Sequence, residues 1–240
     1  MQIFLKLKGE NIVLPIAYRY FVQGMIYHAL ESEPEYSRFL HNGGYKDENR
    51  SFKLFTFSPL IGNYRVEDKK IFFSEIISLE IRTAIPEITQ ILLKAFYRGN
   101  SVKIGRNDLT IESCILKNKT VFKNEAEITP VSPVVAYVTR NNTNRIYFSP
   151  DEDEFCDFVV NNAKRKWLST GRNDSNFYLS IKKEGERQPK KEVTMFKKTY
   201  ITAWYVDFIL CGNPEVIDFL YNVGIGSKNS QGFGMFEIIE

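Results

Sequence analysis

Hydrophobic and polar positions alternate from Gln2 to Leu7, with Ile3, Leu5 and Leu7 on one side. That is the two-residue period of a half-buried strand. The period then lengthens: Val22, Met25, Ile26, Ala29 and Leu30 recur as i, i+3, i+4, i+7 and i+8, which predicts an amphipathic helix. Phe52 to Ser58 and Ile71 to Ile81 read as strands rich in Phe and Ile. A second helix begins at Pro86, buries Ile88, Ile91, Leu92, Ala95 and Phe96, and stops at Gly99. Val102 to Leu116 supplies a closing strand or hairpin, so the first half reads β-α-β-β-α-β.

The polar stretch Lys117-Asn118-Lys119-Thr120 separates this from a second run of the same order. Val131 to Val138 predicts its first strand, and Asn141-Asn142-Thr143-Asn144 a turn before Arg145 to Phe148. Phe155, Phe158, Val159, Ala163 and Trp167 mark a helix stopped near Gly171. Asn176 to Ile181 and Val193 to Leu210 are the next strands, separated by the polar loop Lys182 to Lys191. Asn213-Pro214-Glu215 gives a cap, a proline and an acid at the start of a helix carrying Val216, Phe219, Leu220 and Val223. A glycine-rich loop and a terminal strand from Met235 complete it. The expected fold is α+β, two tandem ferredoxin-like (RRM-like) units over residues 1–119 and 120–240. Such folds carry many activities, RNA binding among them.

The chain has 240 residues, 43% hydrophobic and 25% charged, ordinary for a water-soluble globular protein. No apolar run approaches the roughly 18 residues of a membrane span, and the opening strand pattern is unlike a signal peptide, so a cytoplasmic location is expected. Cys114, Cys156 and Cys211 are odd in number and widely spaced, suggesting neither a disulfide framework nor a zinc site. The net charge of +3 is unevenly placed. Residues 161–200 hold eleven Lys or Arg against four Asp or Glu, an excess of +7 that includes Lys190 and Lys191. That excess suits either a solvated surface or a patch facing a polyanion; Lys164 to Lys166 also suit the C-terminal end of a helix dipole.

Four glycines fall between Gly224 and Gly234, in Gly-Ile-Gly-Ser-Lys-Asn-Ser-Gln-Gly-Phe-Gly. A Walker loop is excluded because Lys228 follows Ser227 instead of a glycine. A dinucleotide fingerprint is excluded because Asn229 stands where its third glycine belongs and no helix follows. The loop is either a demanding turn into the last strand or a set of backbone and side-chain donors for phosphate.

His28 and His41 are the only histidines. His28 and Tyr27 both lie off the apolar stripe of the first helix, and His41 sits where a short helical segment breaks into Asn42-Gly43-Gly44. Exposed imidazoles and a packed tyrosine would account for these residues by composition alone.

The segment Phe21-Val22-Gln23-Gly24-Met25-Ile26-Tyr27, the later Phe39-Leu40-His41, the strand Lys53 to Ser58, and Gly224-x-Gly226 with Gly232-Phe233-Gly234 together resemble the Cas six type of CRISPR repeat-processing endoribonuclease, a branch of the RAMP superfamily. The resemblance runs from the first strand to the last. It implies tandem ferredoxin-like domains, and Tyr27, His41 and Lys53 match the family's catalytic Tyr, His and Lys. The implied reaction is metal-independent and cofactor-free cleavage of precursor CRISPR RNA within each repeat by ribose 2′-oxygen attack. An imidazole can act as general base or acid, a phenol can donate a hydrogen bond, and an ammonium can neutralise phosphoryl charge. RNA contacts are expected from Gly224, Gly226, Ser227, Lys228, Asn229, Ser230, Gly232 and Gly234, and from Lys190 and Lys191. The other function the same folds allow is a non-catalytic RNA-binding subunit of a CRISPR effector complex; a homodimer is compatible with either.

Overall fold

The computed structural model describes residues 1–121, 123–140, 144–185 and 188–239. Most of the expected turn at Asn141 to Thr143, and Arg187 of the basic run, lie outside them. The first half contains β1 (Gln2–Lys8), β2 (Val13–Pro15), α1 (Arg19–Leu30), α2 (Pro34–His41), β3 (Tyr45–Asp47), β4 (Arg50–Phe52), β5 (Phe55–Phe57), β6 (Tyr64–Glu67), β7 (Lys70–Phe73), β8 (Ile76–Thr83), α3 (Pro86–Arg98), β9 (Ser101–Ile104) and β10 (Asn107–Lys117). The main sheet has the antiparallel order β5-β8-β1-β10-β9. Ile3, Leu5 and Leu7 of β1 are buried while Lys6 and Lys8 are exposed, as a two-residue period requires. Val22, Met25, Ile26 and Leu30 form the buried stripe of α1, and α1 and α3 pack together.

The second half contains β11 (Glu125–Pro130), β12 (Tyr137–Arg140), β13 (Asn144–Tyr147), α4 (Asp153–Leu168), β14 (Leu179–Lys183), β15 (Lys190–Phe196), β16 (Thr199–Tyr205), β17 (Phe208–Gly212), α5 (Pro214–Val223) and β18 (Phe236–Ile238). Its antiparallel main sheet runs β14-β17-β11-β18, and β12-β13 and β15-β16 are separate hairpins.

Four sequence readings need correction. The first strand of the second half is Glu125–Pro130, whereas residues 131–136 form a buried loop before β12. That apolar stretch finds partners outside any main sheet: Val134 bridges Trp204, and the Pro133 and Val135 carbonyls accept from Gly234 and Ser227. Phe52 to Ser58 is not one strand, because the backbone turns left-handed at the buried Leu54 (φ 54°) between β4 and β5. Ile71 to Ile81 is likewise divided into β7 and β8. Val193 to Leu210 is divided among β15, β16 and β17, with a left-handed turn at Lys197 (φ 56°), and both ends of the expected Lys182 to Lys191 loop are strand.

The two halves share a core. α5 packs on β5 and β8, and Ile3, Phe55, Phe57, Ile81, Phe208, Leu220 and Phe236 belong to one buried cluster. Each such side chain contributes about 1.5–3 kcal/mol when fully buried. Arg82 of β8, 1% exposed, donates to the Phe236 carbonyl at 2.7 Å, pairs with Glu80 and Glu237, and stacks over Tyr221. A buried cation needs that full set of partners to be tolerated. The halves are therefore fixed against each other by packing and by a buried charge network.

Candidate nucleic-acid cleavage site

Tyr27 and His41 are fourteen residues apart in sequence and adjacent in space. α1 and α2 cross so that their rings meet edge to face, with centroids 6.3 Å apart and planes at 72°. The Tyr27 ring also lies 6.0 Å from Phe55 of β5, and burial pushes its phenol up to about 12. That hydroxyl stays protonated at neutral pH and can donate. His41 ends α2 and is exposed. Lys53 comes to the same place from the other direction: its ammonium donates to the carbonyl of Leu40, the residue before His41. Burial, followed by the nearby Lys46, lowers the Lys53 pKa.

His28 is elsewhere. Its side chain is 83% exposed and pairs with Glu31 at 3.0 Å, beside a cavity between α1, α3 and β9.

The glycine-rich loop closes over the first half. Gln23 of α1 donates to the Ser230 carbonyl at 2.7 Å, Thr56 of β5 lies against the Phe233 carbonyl, and Gly232 packs on the Phe57 ring. Asn229 is buried and donates to the carbonyls of Ile225 and Phe233 at 2.9 and 3.0 Å, so its side chain organises the loop itself. The amides of Gly224, Ser227, Gly232 and Gly234 are also bonded to protein carbonyls. Contacts from the loop to a ligand must thus come mainly from its other groups, Lys228 and Ser230 among them.

Lys53 and this loop line one cavity of about 270 Å³, together with Arg50, Lys166, Lys228 and Ser230. Four cationic side chains line it and no carboxylate does. Lys166 of α4 is 3% exposed and donates to the carbonyls of Gly224 and Gly226, each at 2.8 Å. Burial pushes its ammonium down to about 7, and burial with Arg145 nearby takes Lys228 down to about 8. Such a space attracts an anion, which would in turn favour the charged form of both lysines.

In the sequence Lys166 suits a helix-end charge as well as a solvated or polyanion-facing one; the signal that bears on its burial is that Phe155, Val159, Asn162, Ala163 and Lys166 follow one helical stripe. Lys190 and Lys191 are exposed on β15, opposite Tyr205 and Trp204, and do not line the cavity. Among the described residues, no three His, Cys, Asp or Glu side chains cluster as metal ligands, and no helix is long and apolar enough to cross a membrane.

Two interlocked α/β halves built on antiparallel sheets, with a cation-lined cavity between them, define the structural class of the protein, and comparison with known proteins makes it specific. Residues 13–114 match the family description "CRISPR-associated protein Cas6, N-terminal", and residues 116–238 match "CRISPR associated protein Cas6, C-terminal". The chain belongs to the Cas6 family. It is 26% identical to the CRISPR-associated endoribonuclease Cas6 of Pyrococcus furiosus, over 96% of this chain and 86% of that protein. It is also 26% identical to CRISPR-associated endoribonuclease Cas6 1 of Methanocaldococcus jannaschii, over 100% and 93%. The solved structure of a Cas6-related gene product from Pyrococcus furiosus superposes with a TM-score of 0.81 at 25% identity, covering 100% of this chain and 98% of that one. A RAMP protein described as binding different RNA substrates superposes at 0.80, also at 25% identity, over the full length of both chains.

Proposed function

We propose that the protein is an endoribonuclease that binds CRISPR repeat RNA and cuts precursor CRISPR RNA within each repeat. The observation that supports this reading most is the meeting of Tyr27, His41 and Lys53 beside a cation-lined cavity closed by the glycine-rich loop. In this reading the two main sheets, each with its last strand in chain order beside its first, are tandem ferredoxin-like domains over residues 1–119 and 120–240. The substrate bridges them.

The reaction is attack of a ribose 2′-oxygen on the adjacent phosphorus with departure of the 5′-oxygen. One proton leaves the 2′-hydroxyl and one reaches the 5′-oxygen, giving a 2′,3′-cyclic phosphate and a 5′-hydroxyl. His41 performs one of these transfers, because its side chain is exposed and an imidazole has one nitrogen to accept a proton and one to donate it. Tyr27, held protonated by burial, orients the reacting group through its hydroxyl. Lys53, anchored by the Leu40 carbonyl, neutralises charge growing on the phosphoryl oxygens. Lys228 and Ser230 hold the RNA backbone on the far side. Nothing in these steps calls on a metal ion, and a homodimer or delivery of product to an effector complex is compatible with them.

Purified protein incubated with repeat RNA in excess EDTA should cut once per repeat, and a single 2′-deoxy nucleotide at the cut should abolish the reaction. Cleavage that needs Mg²⁺ or tolerates the deoxy substitution would overturn the chemistry. Tight binding without cleavage would favour the RNA-binding subunit of an effector complex.

A further inference from the structure

The buried stripe of α4 carries two polar side chains one turn apart, and one of them leaves an oxygen unpaired. Lys166 spends its ammonium on Gly224 and Gly226. Asn162 is 7% exposed, and its Oδ1 has no hydrogen-bond partner among the described residues. Gln231 lines the same cavity, and its Oε1 is likewise buried without a partner. Buried amides are nearly always paired, and an unpaired one costs stability. Two such oxygens belong to residues that line one cavity, where a ligand reached by a turn of each side chain would supply the missing groups.

The chemistry of that ligand follows from the donor and acceptor inventory. A phosphodiester accepts hydrogen bonds only, so the cations of the cavity can satisfy it but an amide oxygen cannot. An amide presents a donor beside an acceptor whichever way it is turned, which complements the edge of a nucleobase. The cavity's 270 Å³ is several times the roughly 30 Å³ share of one water, and Phe52 and Phe55 line it alongside the polar groups. Unstacked bases of single-stranded RNA are read by such a combination of apolar surface and edge contacts.

We propose that this cavity is a nucleobase-reading site, in which one nucleotide of the RNA places its phosphate among Arg50, Lys53 and Lys228 and its base edge against the amides of Asn162 and Gln231. The proposal rests on the RNA-cutting reading and adds to it a source of sequence discrimination. Asn162 is the specificity residue. Its unpaired oxygen is retained for the substrate, at the expense of the folded state without RNA.

The test uses repeat RNAs carrying each of the four bases at every nucleotide flanking the cut. Binding and single-turnover cleavage are measured for wild type, Asn162→Leu and Asn162→Asp, with thermal melting of each protein. Wild type should separate the bases at one position by about 5- to 150-fold. Asn162→Leu should reduce that spread to within about 3-fold, keep its salt-dependent binding, and melt no lower than wild type, because it removes an unpaired buried amide. Asn162→Asp, of the same shape but accepting only, should shift the preference at that position toward bases that offer an amine. A spread unchanged in both variants overturns the proposal. If Asn162→Leu does not fold, the Asp variant decides, and an unaltered base preference there overturns it equally. Tight binding with no base preference at any position sinks this proposal alone, whereas wild type that neither binds nor cuts repeat RNA sinks the RNA-cutting reading with it.

Discussion

Lys53 donates its ammonium to the carbonyl of Leu40, the residue immediately before His41. This bond joins the end of α2 to the segment between β4 and β5, so the position of one proposed catalytic side chain depends on the other. The left-handed Leu54 follows at once and turns the chain into β5, against which Tyr27 packs. Strained backbone of this kind persists where the surrounding structure imposes it, often at functional sites.

The two histidines should behave differently. His41→Ala should slow cleavage by about 10²- to 10⁴-fold, the usual contribution of a positioned proton-transfer group. His28→Ala should leave the rate within about 3-fold, because His28 pairs with Glu31 on a different face of α1. Single-turnover rates at saturating protein measure both, and equal losses would remove His41 from its role.

Lys166 makes stability depend on pH in a definite direction. Its pKa lies at about 7 in the folded protein, against about 10.4 in an unfolded chain. Between those values the unfolded chain holds more protons, so this group's contribution rises with pH, by at most about 1.4 kcal/mol per unit. Below pH 7 the charged form is buried at a constant cost. The neutral amine still donates to Gly224 and Gly226. Urea unfolding at pH 7 and pH 9 should show a smaller gain for Lys166→Met than for wild type. Equal gains would mean that Lys166 does not titrate in this window.

Two glycines separate backbone necessity from helix cost. Gly234 has φ 71°, and a β-carbon there would lie 1.9 Å from the Ile225 carbonyl oxygen. Gly234→Ala should destabilise by about 3 kcal/mol and weaken RNA binding by displacing the loop. Gly24, within α1, has open space around its β-position, so Gly24→Ala should stabilise by about 1 kcal/mol. Chemical denaturation of both variants decides the comparison, and a tolerated Gly234→Ala would show that the loop is adaptable.

The lysines of β15 offer a test of electrostatic reach. They lie outside the cavity but on an exposed strand of a basic hairpin, which Arg19 of α1 anchors through Glu192 at 2.6 Å. Changing Lys190 and Lys191 to Glu should weaken RNA binding and reduce the slope of log affinity against log salt by roughly 2. An unchanged slope would return them to solvated surface.

The elements whose periodicity is strong are legible in the amino-acid pattern. β1, α1, α3 and α5 follow from alternation or helical stripes with clear starts and stops, because burial of one face imposes that pattern. It also carried the family resemblance and the choice of Tyr27, His41 and Lys53. It misplaced the strand at 131–138, since an apolar run buried as a loop looks like a strand until its hydrogen-bond partners are known. Those partners, Ser227 and Gly234, are about ninety to a hundred residues away. Chain packing is what shows that Asn229 serves the glycine loop, that Lys166 supports it from beneath, and that Asn162 and Gln231 line a shared cavity with one oxygen each unpaired among the described residues. Periodicity reports which face of an element is buried. What a polar group on that face meets is set by the packing of distant elements, here the two halves held together by a shared core and the buried Arg82.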